Sequence, residues 1–484
     1  MMLKALLVNT NLMRPPVAPL GLDYIGAALR GRGHEVDLLD LAFAGDPGKA
    51  LEQVLEGSSA EHGYRLVGLS VRNTDDCYMG SQAFFLEPVR EMVSVIRSRT
   101  RIPVVLGGVG FSVMPEAILD YTGADLGVAG SGERALAALL ERSGRPEDVP
   151  GLVWKGKGGE WRKNPPDLEP LDGLSLSRRA LADNRRYFAE GGQIGVETKR
   201  GCGERCLYCA DPVSKGRKIR VRDPRSVVRE IQGLLEKGID HFHWCDSEFN
   251  LPEAHARAVC EALMASGLGR RIRWYAYLAP APFPPDLATL MRDAGCAGID
   301  FGADSGSRAM LAALGRSFGP EDLVAAARTS RASGIPCMFD LLIGGPGETR
   351  ESLRETVDLV RRADPDRVGL SVGVRIYPGT GLASLVRREG FHPGNPNLVG
   401  LVEGNESLLR PVFYLSAGLG PDPHRVSAFV KELVGDDPRF FGVGDVPEGQ
   451  DYNYNENTVL IEAIRRGYRG AYWDILRRLA EGLS

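Results

Sequence analysis

The sequence predicts an α/β protein: a doubly wound, Rossmann- or flavodoxin-like sheet, then a partial (β/α)6 barrel, then a small, mainly helical C-terminal section. Three observations carry this. Near-continuous apolar strands alternate with amphipathic helices over residues 1–145, the pattern of parallel sheets covered on both faces. The alternation lapses over 146–190 and resumes over 191–385 with six β/α units, too few for an eight-unit barrel. Residues 386–484 lose it again.

In chain order, the first-domain strands are "KALLVN", "EVDLLDL", "LVGLSV", "IPVVLGG" and "DLGVAG", with helical patterns such as Leu20–Arg32 and Gln82–Arg97 between them. The loops that follow, "NTN", "RNTDD", "GGVGFS" and "GSGE", lie where such sheets bind ligands, beyond the strand carboxyl ends. Glycines there bring backbone close to a ligand, or simply make tight turns. Residues 146–190 contain "KGKGGEWRKNPPDLEPLDGLSLSRR", rich in Gly, Pro and charge like an interdomain linker, with a hairpin expected around Gly156–Gly159. The second set of strands is "QIGVETK", "IDHFHWCD", "IRWYAYL", "GIDFGAD", "PCMFDLLIGG" and "RVGLSVGVRIY". Helices fit at Pro224–Lys237, Leu251–Ala265, Pro285–Ala294, Pro320–Ser333 and Glu351–Arg362. In the last section Tyr452, Asn453, Tyr454, Asn455 and Asn457 can present hydrogen bonds to a ligand. Tyr472 and Trp473 read as core of a helical segment.

Composition narrows the function. At 484 residues, 43% hydrophobic and with net charge −4, the chain has ample core and no electrostatic case for nucleic acid or an anionic membrane. No apolar run approaches the ~20 residues of a membrane span. Eight scattered cysteines are no disulfide framework, and three of them close together point to metal chemistry in a reducing cytoplasm. Those three, Cys202, Cys206 and Cys209, stand in "RGCGERCLYC". Structural zinc wants four protein ligands, usually in paired short spacings, and the chain shows no second CxxC or HxxxH. An iron–sulfur cluster on three thiolates leaves one iron open, which is the better chemical match.

With Tyr208 at its aromatic position, the CxxxCxΦC loop resembles the radical S-adenosylmethionine superfamily over about residues 190–380. The resemblance implies a [4Fe–4S] cluster held by Cys202, Cys206 and Cys209, S-adenosylmethionine on the open iron, and an electron donor such as flavodoxin or ferredoxin. It places Tyr208 at the cofactor, and Asp246 or Glu248 of "CDSEFN" on the cofactor's amino group. The usual Gly-Gly-Glu is absent, so either carboxylate fits. It also implies ribose and carboxylate contacts from Asp304 and Ser305 in "GADSGS", and an adenine-flanking turn at Gly344, Gly345 and Glu348 in "LLIGGPGET". Lys199 and Arg200 flank the loop, as charge balance for the cluster or as a solvated basic edge.

The first domain is similar to that of the cobalamin-binding radical enzymes, the class B methyltransferase-like group, through "PPVAPLGLDYIGAALRGRGHEVDLLDL", "VVLGGVGFSVMPEAIL" and "GADLGVAGSGE". No DxHxxG occurs, since His34 and His62 lie in other contexts, so cobalamin is expected without histidine ligation. The implied contacts are Asn9, Thr10, Ser70, Arg72, Asn73, Gly107, Gly108, Gly110, Phe111, Gly130, Gly132 and Glu133. Arg72 would face the lower side of the corrin, or else pair with Asp75 or Asp76; Cys77 would reach cobalt, or be a buried free thiol. The implied reaction is methylation of an unactivated carbon of a small molecule or peptide. Cyclisation, ring contraction and other rearrangements are supported by the same architecture. A methylthiotransferase should carry further cluster cysteines in the first domain, which has only Cys77. A non-enzymatic cluster protein would not need the strand-end constellation.

Overall fold

The computed structural model describes residues 2–56, 63–141, 145–171, 179–420, 422–442 and 454–483. The first sheet comprises β1 (Lys4–Asn9), β2 (Glu35–Asp40), β3 (Leu66–Ser70), β4 (Val104–Gly107), β5 (Leu126–Val128), β6 (Leu152–Lys155) and β7 (Trp161–Lys163), in the order β2-β1-β3-β4-β5-β6-β7. β1 to β5 are parallel, as the apolar runs require, with one core on each face. Part of the stretch expected to be linker belongs to this sheet. β6 and β7 form the hairpin at Gly156–Gly159 and extend the sheet antiparallel from β5. Leu152 and Val153 are buried, Trp154 and Trp161 are only partly so, and the remaining positions are polar or glycine, so the sequence shows little strand periodicity there.

The second sheet comprises β8 (Ile194–Val196), β11 (His241–Trp244), β12 (Arg273–Leu278), β13 (Cys296–Asp304), β14 (Cys337–Ile343), β15 (Arg367–Val372) and β19 (Phe440–Phe441). All are parallel, in the order β8-β11-β12-β13-β14-β15-β19. The six expected strands are present. β19, supplied from the C-terminal section, covers the edge of the sixth. Between β8 and β11, β9 (Lys199–Arg200) and β10 (Arg220–Val221) pair antiparallel and close the cysteine loop. Helices Pro224–Leu235, Glu253–Ala265, Pro285–Asp293, Pro320–Ala332 and Arg350–Ala363 cover the outer face. There Trp244, Trp274, Phe301 and Phe339 form the centre of the core. Alternation of side chains across the strands leaves His243, Tyr277, Asp300, Gly302 and Asp304 for the inner face.

The C-terminal section is less purely helical than expected. β16 (Val374–Arg375), β17 (Leu398–Gly400) and β18 (Val412–Tyr414) make a small antiparallel sheet. Helices follow at Pro423–Val434, Thr458–Arg465 and Tyr472–Ala480. Trp473 is core, as expected: it meets Tyr275 edge-on at 6.3 Å beneath the barrel, and the Tyr275 hydroxyl donates to Asp474 at 2.9 Å. Tyr452 and Asn453 lie outside the described residues. No described helix is long and apolar enough to cross a membrane.

Candidate active site

The cysteine loop is fixed from several sides. Gly201 has φ +98, and a Cβ there would lie 2.4 Å from the Lys218 carbonyl oxygen, so only glycine lets the loop leave β9 against that backbone. The Leu207 amide donates to Leu314 O, and its carbonyl accepts from Leu382 N, each at 2.8 Å. Burial pushes the Cys206 thiol up to about 11 and that of Cys209 up to about 12. Opposing this at Cys206 is Arg316, whose Nη1 donates to Sγ at 2.9 Å. Lys199, 2% exposed, is the second cation; Cys202 and the Asp246 and Glu248 carboxylates act on it from nearby. It is therefore no solvated edge. Among the described residues no three His, Cys, Asp or Glu side chains could hold a metal ion together.

Most of the carboxylates expected around S-adenosylmethionine are spent on the protein. Asp246 accepts from the Thr198 and Lys199 amides, at 2.8 and 3.1 Å, and from the Thr198 hydroxyl, tying β11 to the end of β8. Asp304 accepts both of its Tyr208 hydroxyl contacts, at 2.8 and 2.9 Å, and lies 3.3 Å from Arg316. Ser305 is bonded to Thr356 and to the Ser307 amide. Glu348, 1% exposed, accepts from the Gly344 amide and so closes its own glycine turn. Gly345 is packed against Leu314 and Met310. Glu248 differs. Its Oε2 is buried with no partner, Arg316 stands 3.6 Å away, and burial pushes the carboxyl up to about 7. Of Asp246 and Glu248, Glu248 is the one with a carboxylate oxygen left unbonded. Arg316 was not singled out from the sequence; its signal is the preceding Gly315, at φ +73, whose position faces the Arg205 carbonyl of the cysteine loop.

The strand-end loops of the first domain divide in the same way. Asn9 (2% exposed) bonds Asp40 and the Tyr187 hydroxyl. Phe111 is fully buried beneath Gly127, where a Cβ would lie 2.1 Å from its ring. Glu133 pairs with Arg200 at 3.0 Å. Gly110 packs on the Arg72–Asn73 backbone. These four serve the fold and present no free group at the opening, whereas Thr10, Ser70, Arg72, Asn73, Gly107, Gly108, Gly130 and Gly132 all keep some exposure. Among the described residues Arg72 has no ion-pair partner: Asp75 is taken by Arg375 at 3.0 Å, and the Arg72 guanidinium meets the Met13 sulfur at 3.8 Å. Its charge is felt at His243, Cys245, Tyr277 and Tyr472, so it faces the barrel. Cys77, at φ +56, is exposed and bonds the Tyr377 hydroxyl at 2.9 Å.

Two family models match this chain: the B12 binding domain over residues 8–140 and the Radical SAM superfamily over residues 196–360. Tryptophan 2-C-methyltransferase of Streptomyces laurentii is 30% identical over an alignment covering 96% of this chain and 94% of that protein. The structure of radical S-adenosylmethionine methyltransferase TsrM from Kitasatospora setae, with tryptophan substrate and a SAM analog bound, matches with a TM-score of 0.89 at 31% identity, covering 99% of this chain and 98% of that one. The structure of the same protein with cobalamin and a [4Fe-4S] cluster bound gives 0.87 at 30%, with the same coverage.

Proposed function

Because the chain belongs to the cobalamin-dependent radical S-adenosylmethionine methyltransferase family, we propose that it methylates a ring carbon of tryptophan or a close indole relative. It is a C-methyltransferase using a [4Fe–4S] cluster, S-adenosylmethionine and cobalamin. The observation that carries the indole reading is the likeness, over nearly the whole of both chains, to a structure that holds tryptophan beside a SAM analog.

Cys202, Cys206 and Cys209 hold the cluster in this reading, with Lys199 and Arg316 balancing its charge. The cofactors, when bound, supply a transferable methyl group and one-electron chemistry, the latter fed by a donor such as flavodoxin or ferredoxin. The chain's own residues position and enclose. Glu248 keeps a carboxylate oxygen for the amino group of S-adenosylmethionine. Arg72, exposed at the end of β3, would place its cation beside the bound corrin. Arg375, Asp75 and Tyr377 brace the first-domain loop against the barrel. The C-terminal section covers the substrate and keeps water out.

The test is anaerobic purification with cobalamin supplied, reading iron, sulfide and corrin absorption, followed by incubation with L-tryptophan and methyl-labelled S-adenosylmethionine. Cluster, one corrin per chain and a labelled 2-methyltryptophan product are expected. A fully loaded protein that leaves tryptophan unlabelled overturns the substrate assignment.

A further inference from the structure

Halfway down the inner wall of the barrel, between the cysteine end and the Trp473 floor, sits a carboxyl pair that nothing above employs. Asp300 on β13 and Asp340 on β14 are diagonal neighbours, since Asp300 pairs with Met338 and Gly302 with Asp340 in the register. Burial first, and then Asp340 beside it, push the Asp300 carboxyl well above the usual carboxylate range. Asp300 is 5% exposed, and its Oδ1 is buried with no partner. The charges acting on it, Asp340 and Glu248, are both acidic, and no described Lys or Arg forms an ion pair with it. An unbalanced buried carboxyl is costly, and an oxygen left bare is a vacancy for a donor.

Its surroundings are aromatic. Tyr277, directly beside Asp300 on β12, is 42% exposed although it lies mid-strand inside the barrel. Burial and the two aspartates push its hydroxyl upward. His243 packs edge-on to Tyr277 at 5.0 Å. Burial pushes it down to about 4, so it is neutral and offers no counter-charge. Tyr454 of the C-terminal section lies within the field of both aspartates. Arg72, from the first domain, acts on Tyr277 and His243. An acidic centre among aromatic rings suits a cation carried on a flat ring system.

We propose that Asp300, supported by Asp340, binds the ammonium group of the substrate, making the methyl acceptor an aromatic amine or amino acid rather than a neutral or acidic aromatic. This rests on the reading that a small aromatic acceptor occupies the barrel. L-tryptophan and indole-3-propionate differ only in the α-amino group, so calorimetry with both on the cofactor-loaded enzyme isolates it. A charge-assisted hydrogen bond predicts a preference for tryptophan of about tenfold to a hundredfold. Asp300→Asn, with iron and corrin contents unchanged, should bring the two affinities to within about threefold, and Asp340→Asn should move them the same way. Equal binding by the wild type, or a preference that survives both substitutions, overturns the inference while leaving tryptophan methylation standing. If neither indole binds, the substrate reading fails, and the comparison passes to L-phenylalanine and L-tyrosine against their des-amino acids. Absence of amine preference in every pair then overturns the inference too.

Discussion

Glu348 lies under the glycine turn after β14, and burial pushes its carboxyl from the ordinary 4.5 up to about 7 against the pull of the Gly344 and Gly345 amides. A carboxyl whose folded pKa exceeds its unfolded one binds its proton more tightly when folded. It therefore costs stability as pH rises from 4.5 to about 7, and nothing further above that. The shift corresponds to something on the order of 3 kcal/mol. Glu348→Gln keeps an acceptor for the amides, so the variant should lack this share of the loss; urea midpoints at pH 5 and pH 8 read the difference. Glu348 also shows where residue-level reading of the sequence stops. Residue type and spacing bring Asp246, Glu248, Asp304 and Glu348 to the right strand ends, but which carboxylate is spare depends on the donors that folding brings to each. Thr198 is 48 residues from Asp246, and Tyr208 is 96 from Asp304. No local pattern records such meetings.

At the scale of elements, the join between β4 and the helix Val109–Val113 depends on Gly108. Its φ is +104, and a Cβ would stand 2.4 Å from the Val71 carbonyl oxygen. Gly108→Ala must therefore separate the loops after β3 and β4, in addition to the ~1–3 kcal/mol of an unfavourable backbone. A lower melting temperature together with reduced corrin uptake is expected; unchanged corrin absorption would show that those loops tolerate the displacement. Long apolar strands flanked by helices were legible because burial on both faces leaves an unbroken hydrophobic run. The β6–β7 hairpin and the two-residue β19 were not. In the hairpin only Leu152 and Val153 are buried to hold the ladder, and in β19 Phe440 and Phe441 do so half-exposed.

The molecule as a whole is tied together by an ionic group with almost no access to solvent. Arg179 donates to Asp23 of the first domain at 2.7 Å and to Glu230 of the barrel's outer layer at 2.9 Å, while Arg222 holds the other Glu230 oxygen at 2.7 Å. Tyr24 completes it. Arg179→Met would strand the Asp23 carboxylate, and removing one partner of a buried pair costs about 3–5 kcal/mol. Urea unfolding should show that loss. Simultaneous replacement of Asp23 by Asn should recover part of it.

Tyr275 meets its partner Asp474 only across 199 residues of chain. Translation therefore finishes the walls of the barrel long before it delivers the base, and β15 waits likewise for Phe440 and Phe441. During that interval the nascent chain is a cup without a bottom, its acidic lining wet and one parallel edge unpaired. Exposed strand edges of that kind make a partly folded chain prone to aggregate until the last residues arrive.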